Sequence, residues 1–474
     1  MTNLSFAERH SAEHAGAARR ARLQPAASDL VRVGSRRWFV QTGLAGMAGV
    51  SLADVLRARA AAQAGHPSGR KSVILFWLSG GPSHLDTWDP KPQAPVEERG
   101  PFGSIASRLP GIRVCEHLPH LSSILDRLTI IRSVDCRDSD DHRAAVMQTG
   151  NSKALKDLKS TLAGPLRGRF PSMGSIAARF RGANDPELPA YVGMGSPHLT
   201  EWHSDIWGAG ELGSAFEPVR ETGLADSLGM PPGVSLARAQ DREGLRRQFD
   251  RLRHDLDASR TMEQMDQYGR QALEMVLSGK ARDAFQVDRE PDTIRDAYGR
   301  DSFGEKALLA RRLVEAGVTF VVVCGRFGVF DVHGDDVIWG GLVKGMKPLY
   351  PSIDRSLHAL VTDLEARGLL DSTLVLTMGE FGRSPQISTT GGRTHWPNCM
   401  SVLAAGGAGP RGQVIGSTDE RGYHVKDRRV VPADLAATVF RHLDIDLETQ
   451  WTDLQGRPHP IVSDGGRPIA ELLA

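Results

Sequence analysis

The chain has 474 residues, 40% of them hydrophobic, enough to bury one large core or two smaller ones. Its 58 basic and 57 acidic residues nearly cancel, which excludes a grip on nucleic acid through gross charge. Four cysteines (Cys115, Cys136, Cys324, Cys399) are too few and too spread for a disulfide framework; Cys115 and Cys136 read either as one bridge or as two unlinked thiols.

In chain order, Ser35-Arg36-Arg37-Trp38-Phe39-Val40 precedes a weakly apolar run over 42–52, and an Ala-rich stretch over 58–64 follows. An arginine pair, an aromatic, an apolar run and small residues in that order predict a twin-arginine signal and leader over 1–64. The partner this implies is the twin-arginine translocase, and the destination is the periplasm or the cell surface. The apolar run is Gly-rich and shorter than the ~18 residues a membrane span needs, so the membrane matters only for export. The leader carries nine Arg and four acids, which leaves 49 basic and 53 acidic residues, a net charge of −4.

The apolar run 72–78 ends in Ser79-Gly80-Gly81-Pro82 and predicts a buried first strand. Runs at 128–134, 190–192, 319–324, 374–378 and 401–404 continue the series. Between them, 349–367 sets Tyr350, Ile353, Leu357, Leu360, Val361 and Leu364 on one helical face, with Gly368 as the stop. Pro432 opens another helix that aligns Leu435, Val439 and Leu443. Strands alternating with helices predict an α/β domain over 70–474, with a mainly parallel central sheet flanked by helices. Residues 236–290 are rich in Arg, Asp, Glu, Gln and Met at helical spacing, and predict a helical insertion whose charges are solvated faces.

Ligand-type residues gather where these strands end, which is where open α/β sheets place their sites. After the first strand come His84, Asp86 and Asp89, with turn formation as the bland reading of Asp86. After the second come Asp138, Ser139, Asp140, Asp141, His142 and Arg143. There Ser139 is either a helix N-cap or a nucleophile, and Asp140, Asp141 and His142 either bind metal or complement a helix dipole. Asp331 and His333 lie two apart, so an extended backbone projects both to one side, able to chelate one ion. Asp335 and Asp336 are possible extra ligands or merely solvated acids. Glu380 directly follows its strand, and Arg383 can pair with an anionic substrate or with Glu380 itself. His395 stands in a Gly392-Arg393-Thr394-His395-Trp396-Pro397 loop, as a ligand or as a packed loop histidine.

Four pieces carry a resemblance: Gly80-Gly81-Pro82-Ser83-His84-Leu85-Asp86-Thr87-Trp88-Asp89-Pro90-Lys91-Pro92, Asp331-Val332-His333-Gly334-Asp335, Gly379-Glu380-Phe381-Gly382-Arg383-Ser384-Pro385, and the loop around His395. With them, the chain resembles a domain-of-unknown-function family of bacterial proteins exported by the twin-arginine route, similar to sulfatases and placed in the alkaline phosphatase-like superfamily. The resemblance implies hydrolysis of a phosphate or sulfate ester, small-molecule or glycan, with one or two divalent ions (zinc, calcium, magnesium or manganese). Asp331, His333 and His395 look like one metal site. Asp86 and Glu380, with Ser139 as candidate nucleophile, look like a second, and Arg383 or Arg143 would hold the anion. The chain departs from the superfamily at the end of the first strand, where Ser79-Gly80 stands in place of an acid, and at Glu380-Phe381 in place of Asp-His. These departures leave open a second class, a non-catalytic exported binding or assembly protein on the same sheet.

Overall fold

The computed structural model describes residues 69–136, 138–155, 168–195, 204–220, 279–326 and 328–473. The predicted leader lies outside them, as does 236–278 of the predicted insertion. The rest of that insertion is helical, with an α-helix at Lys280–Phe285 and a 3-10 turn at Val287–Arg289.

Eight strands form the central sheet: β1 (Ser72–Trp77), β2 (Leu128–Val134), β3 (Tyr191–Met194), β4 (Val219–Arg220), β5 (Phe320–Cys324), β6 (Thr373–Met378), β7 (Met400–Gly406) and β8 (Gln413–Ile415). Their spatial order is β8-β2-β7-β6-β1-β5-β3-β4. All run the same way except β7, which is antiparallel to both β6 and β2. The α/β architecture with a mainly parallel sheet is therefore the one the chain adopts. The short edge strands β4 and β8 carry too few residues to show a pattern in sequence.

β1 is apolar throughout because both its faces are covered. Ile74 and Phe76 pack on one side with the helices Ser302–Ala316 and Tyr350–Ala366. Val73, Leu75 and Trp77 pack on the other with Met173–Phe180 and Pro432–His442. The period-2 alternation of the strand thus feeds two cores, each fully buried large side chain contributing roughly 1.5–3 kcal/mol. The helix at 350 begins and ends within a residue of where the sequence places it, and Gly368 takes a positive φ of 67° after it; the second helix opens at Pro432 as expected and ends at His442, with Leu443 as its C-cap.

Because β1, β2, β5 and β6 share a direction, the loops that follow them emerge along one edge. After β6 the chain stays at that edge and builds a two-stranded ribbon, Gly382–Ile387 against Arg393–Trp396. It then re-enters the sheet from that edge, so β7 runs antiparallel; a return by a parallel strand needs a crossover of a dozen or more residues. Cys115, Cys136, Cys324 and Cys399 are all buried free thiols, so the bridge between Cys115 and Cys136 is not made. No helix among the described residues is long and apolar enough to cross a membrane.

Candidate metal centre

Four side chains from three of these loops converge. His142 follows β2, Asp331 and His333 follow β5, and His395 stands on the ribbon opposite Arg383. One ligand-type atom from each lies within 4.8 Å of all the others. Asp331 Oδ1 is the hub, 2.8 Å from His333 Nε2, 3.3 Å from His142 Nε2 and 3.5 Å from His395 Nε2. His333 Nε2 and His395 Nε2 are 3.2 Å apart. Asp331 is buried, whereas each of the three imidazoles keeps about a tenth of its side chain exposed, so the cluster opens to solvent on one side.

The local backbone explains the first pair. Residues 330–333 are not extended: Val332 N–H donates to Phe330 O and His333 N–H to Asp331 O, at 2.9 and 3.1 Å. This tight double turn sends Val332 into the core and leaves Asp331 and His333 together on the cluster side. The turn after β1 supports it. A Cβ on Gly80, whose φ is +108°, would sit 2.4 Å from the Asp331 nitrogen, so only glycine lets the two loops meet.

Glu380 lies beside the cluster. Its Oε1 accepts the Gly80 N–H at 2.7 Å and stands 3.3 Å from His142 Nδ1, while its buried Oε2 has no hydrogen-bond partner. Phe381 packs under the imidazoles, with its ring 4.1 Å from that of His395 and 5.3 Å from that of His142. Arg383 is buried and spends its donors on the protein: Asp331 Oδ1 at 2.6 Å, the carbonyls of Gly81 and Arg393 at 3.0 Å each, and the carbonyl of Gly80. It braces the loops that carry the cluster.

The electrostatics follow from this packing. Burial alone would lower the His142 imidazole, but the facing carboxylates of Asp331 and Glu380 reverse that and raise it to about 9. Burial drives His395 well below its usual value, and His142 and Arg383 push the same way.

The other residues singled out in the sequence lie elsewhere. Asp86 is buried, but its carboxylate is held by Arg393, with Nε 2.6 Å from Oδ2, and by the Ser83 hydroxyl at 2.5 Å; it is not brought into the cluster. Arg143 forks onto Asp141, with Nε 2.6 Å from Oδ1. Asp335 and Asp336 are exposed, and Asp335 pairs with Lys344 at 3.0 Å. Ser139 caps no helix, because the next one spans only Ala145–Thr149. Its hydroxyl is fully buried without a hydrogen-bond partner. The carbonyl of the next residue, Asp140, meets His395 Nδ1 at 3.1 Å, so this loop abuts the cluster. Arg393, the buried counter-ion of Asp86, had no signal in sequence beyond its place in the His395 loop.

A family profile with the description "Protein of unknown function (DUF1501)" matches residues 70–473, almost all of the chain beyond the predicted leader. The chain belongs to the DUF1501 family. No curated protein matches this DUF1501 member. Among solved structures it is similar to a phosphonate monoester hydrolase of Agrobacterium radiobacter, at 12% identity over 85% of this chain and 77% of that one, with a TM-score of 0.39. It is also similar to the PsFucS1 sulfatase from Pseudoalteromonas sp. (10% identity, 92% and 77% covered, TM-score 0.38) and to Ps i-CgsB (12% identity, 80% and 73% covered, TM-score 0.37). None of the three exceeds a TM-score of 0.39, so the function of this DUF1501 chain is argued from its own residues.

The donor set fits a metal ion. A tetrahedron with bonds of 2.0–2.1 Å has edges of about 3.3 Å, and the separations around Asp331 Oδ1 run from 2.8 to 3.5 Å. Three imidazoles and one carboxylate are also the donors that divalent first-row ions take.

Proposed function

We propose that the chain is an exported metal-dependent hydrolase of phosphate or sulfate esters, small-molecule or glycan, on an alkaline phosphatase-like sheet. The observation that carries this reading is the convergence of His142, Asp331, His333 and His395 on one point at the C-terminal edge of the sheet, partly open to solvent. When bound there, a divalent ion supplies Lewis-acid polarisation of the ester and activation of an attacking oxygen.

Charge favours an anionic substrate. Asp331 and Glu380 contribute two negative charges and Arg383 one positive. With neutral imidazoles and a divalent ion, the buried set carries one net positive charge, which attracts an ester anion to the exposed side. Ser139 is the candidate nucleophile, on the strength of its buried, unpartnered hydroxyl in a loop that touches His395. In this reading its oxygen bonds to phosphorus or sulfur as the alcohol departs with a proton, and water then cleaves the ester formed on the enzyme. Arg143 lies in this loop and is the candidate to hold the anion through Nη1, because its Nε and Nη2 fork onto Asp141 and the donors of Arg383 are spent on Asp331 and backbone carbonyls. Asp86 remains the candidate for a second ion only if Arg393 releases it.

The test is turnover of aryl phosphates and aryl sulfates by the purified protein, with and without chelator. The expected result is activity that depends on added divalent ion and is lost in the His333→Ala/His395→Ala double variant. Full activity in chelator or in that variant would sink the reading.

A second reading, a non-catalytic exported binding or assembly protein, is favoured by one observation. With His142 protonated, His142 and Arg383 balance Asp331 and Glu380, and the buried network is neutral without any ion. Ion binding without turnover on a broad ester panel supports this alternative.

A further inference from the structure

We propose that His142 completes the ligand set of the ion and that Glu380 is its positioning residue, holding the ring through Nδ1 without touching the ion. This rests on the metal-dependent reading above. The ring orientations carry the inference. His142 Nδ1 stands 3.3 Å from Glu380 Oε1, while its Nε2 faces Asp331 Oδ1 at 3.3 Å. His395 repeats the arrangement: Nδ1 lies 3.1 Å from the Asp140 carbonyl, and Nε2 turns to His333 Nε2 at 3.2 Å and to Asp331 Oδ1 at 3.5 Å.

A carbonyl oxygen can only accept, so His395 carries its proton on Nδ1 and turns Nε2 towards the cluster. Glu380 imposes the same tautomer on His142. An oxygen acceptor behind the outward ring nitrogen is the usual support of a metal-ligating histidine, because it fixes the tautomer and raises ligand basicity. Glu380 is not among the four residues whose ligand atoms lie within 4.8 Å of one another. The same Oε1 also accepts the Gly80 N–H at 2.7 Å. The residue therefore ties the first-strand turn to the His142 ring.

Two measurements on the full chain test this. In the first, ring nitrogen-15 NMR of the wild-type protein loaded with Zn²⁺ reads the His142 tautomer. The expected spectrum has a protonated Nδ1 and a metal-bound Nε2; metal on Nδ1, or no metal shift at His142, overturns the proposal. In the second, Co²⁺ is titrated into the metal-free protein while affinity and the visible absorption band are recorded. Glu380→Ala is expected to weaken binding roughly 10–100-fold with the band position kept, and Glu380→Gln, which retains an acceptor oxygen, to recover most of the loss. Unchanged affinity in Glu380→Ala overturns the proposal, as does a band shift that signals a lost ligand in Glu380→Gln. Thermal unfolding of both variants separates misfolding from weakened binding, and the wild-type NMR measurement stands whatever the variants do. A wild-type protein that binds no ion overturns both this proposal and the metal-dependent reading; one that binds the ion but ignores Glu380 overturns this proposal alone.

Discussion

Arg383 Nη2 lies 2.6 Å from Asp331 Oδ1, and both side chains are shut off from solvent. The same guanidinium reaches the carbonyls of Gly81 and Arg393. One residue therefore joins the turn after β1, the loop after β5 and the ribbon after β6. Arg383→Ala leaves a buried carboxylate and several carbonyls without a donor. The expected loss is about 3–5 kcal/mol in chemical denaturation. Arg383→Lys recovers only part of it, since an ammonium cannot span the same fork.

Asp86 and Arg393 form a separate buried pair. Asp86→Asn should destabilise the protein by roughly 3 kcal/mol in urea melts, because it strands the Arg393 charge. Ion affinity, measured by titration on the folded variant, should change less than twofold. A large loss of affinity would return Asp86 to the metal-ligand role expected from the sequence.

Ser139 offers a test in which stability and activity part company. Its buried hydroxyl has no partner, so it forfeits hydration without return. Ser139→Ala should leave the unfolding midpoint unchanged or raise stability by up to about 1 kcal/mol. If Ser139 is the nucleophile, the same variant loses ester turnover almost completely while still binding the ion.

Stability should also fall in acid for a reason unconnected with the cluster. Burial pushes the imidazoles of His84 and His442 down to about 4. Each folds neutral, His84 against the Gly422 carbonyl at 2.9 Å and His442 against the Ser72 carbonyl at 3.0 Å. The unfolded chain takes up these protons near pH 6.5, so the folded state is fully favoured above that pH and loses ground as pH drops from about 6.5 towards 4. Each residue accounts for roughly 3 kcal/mol over that window. Urea midpoints recorded from pH 7 to pH 4 should show the decline, and His442→Gln should flatten it.

Much of this arrangement was legible in the sequence, for identifiable reasons. β1, β5 and β6 are apolar runs that can only be covered on both faces, so their ends and the residues after them could be read directly. Asp331, His333 and His395 stood out because ligand-type side chains follow such ends. The grouping of His142 with them was not legible. It depends on the 142–144 backbone pairing with Ser204, whose N–H donates to the His142 carbonyl at 3.3 Å, and no local pattern encodes that contact. The partner of Asp86 was hidden likewise, since Arg393 lies 307 positions along the chain. The tight double turn at 330–333 replaced an extended segment because Phe330 N–H is drawn to the Ser79 carbonyl, a tertiary bond.

The ribbon between β6 and β7 gives the centre a timing. His395 stands on it, while His142 belongs to a loop far earlier in the chain, so the full donor set appears only after β6 is in the sheet and the ribbon has closed on Arg383. A fragment that ends before His395 lacks one of the four donors. Contacts of such long sequence separation form late in folding, once loop closure has been offset by core burial. Capture of an ion here would act as a latch on a finished molecule: its binding energy would oppose unfolding of the whole sheet edge and would do nothing for a nascent chain.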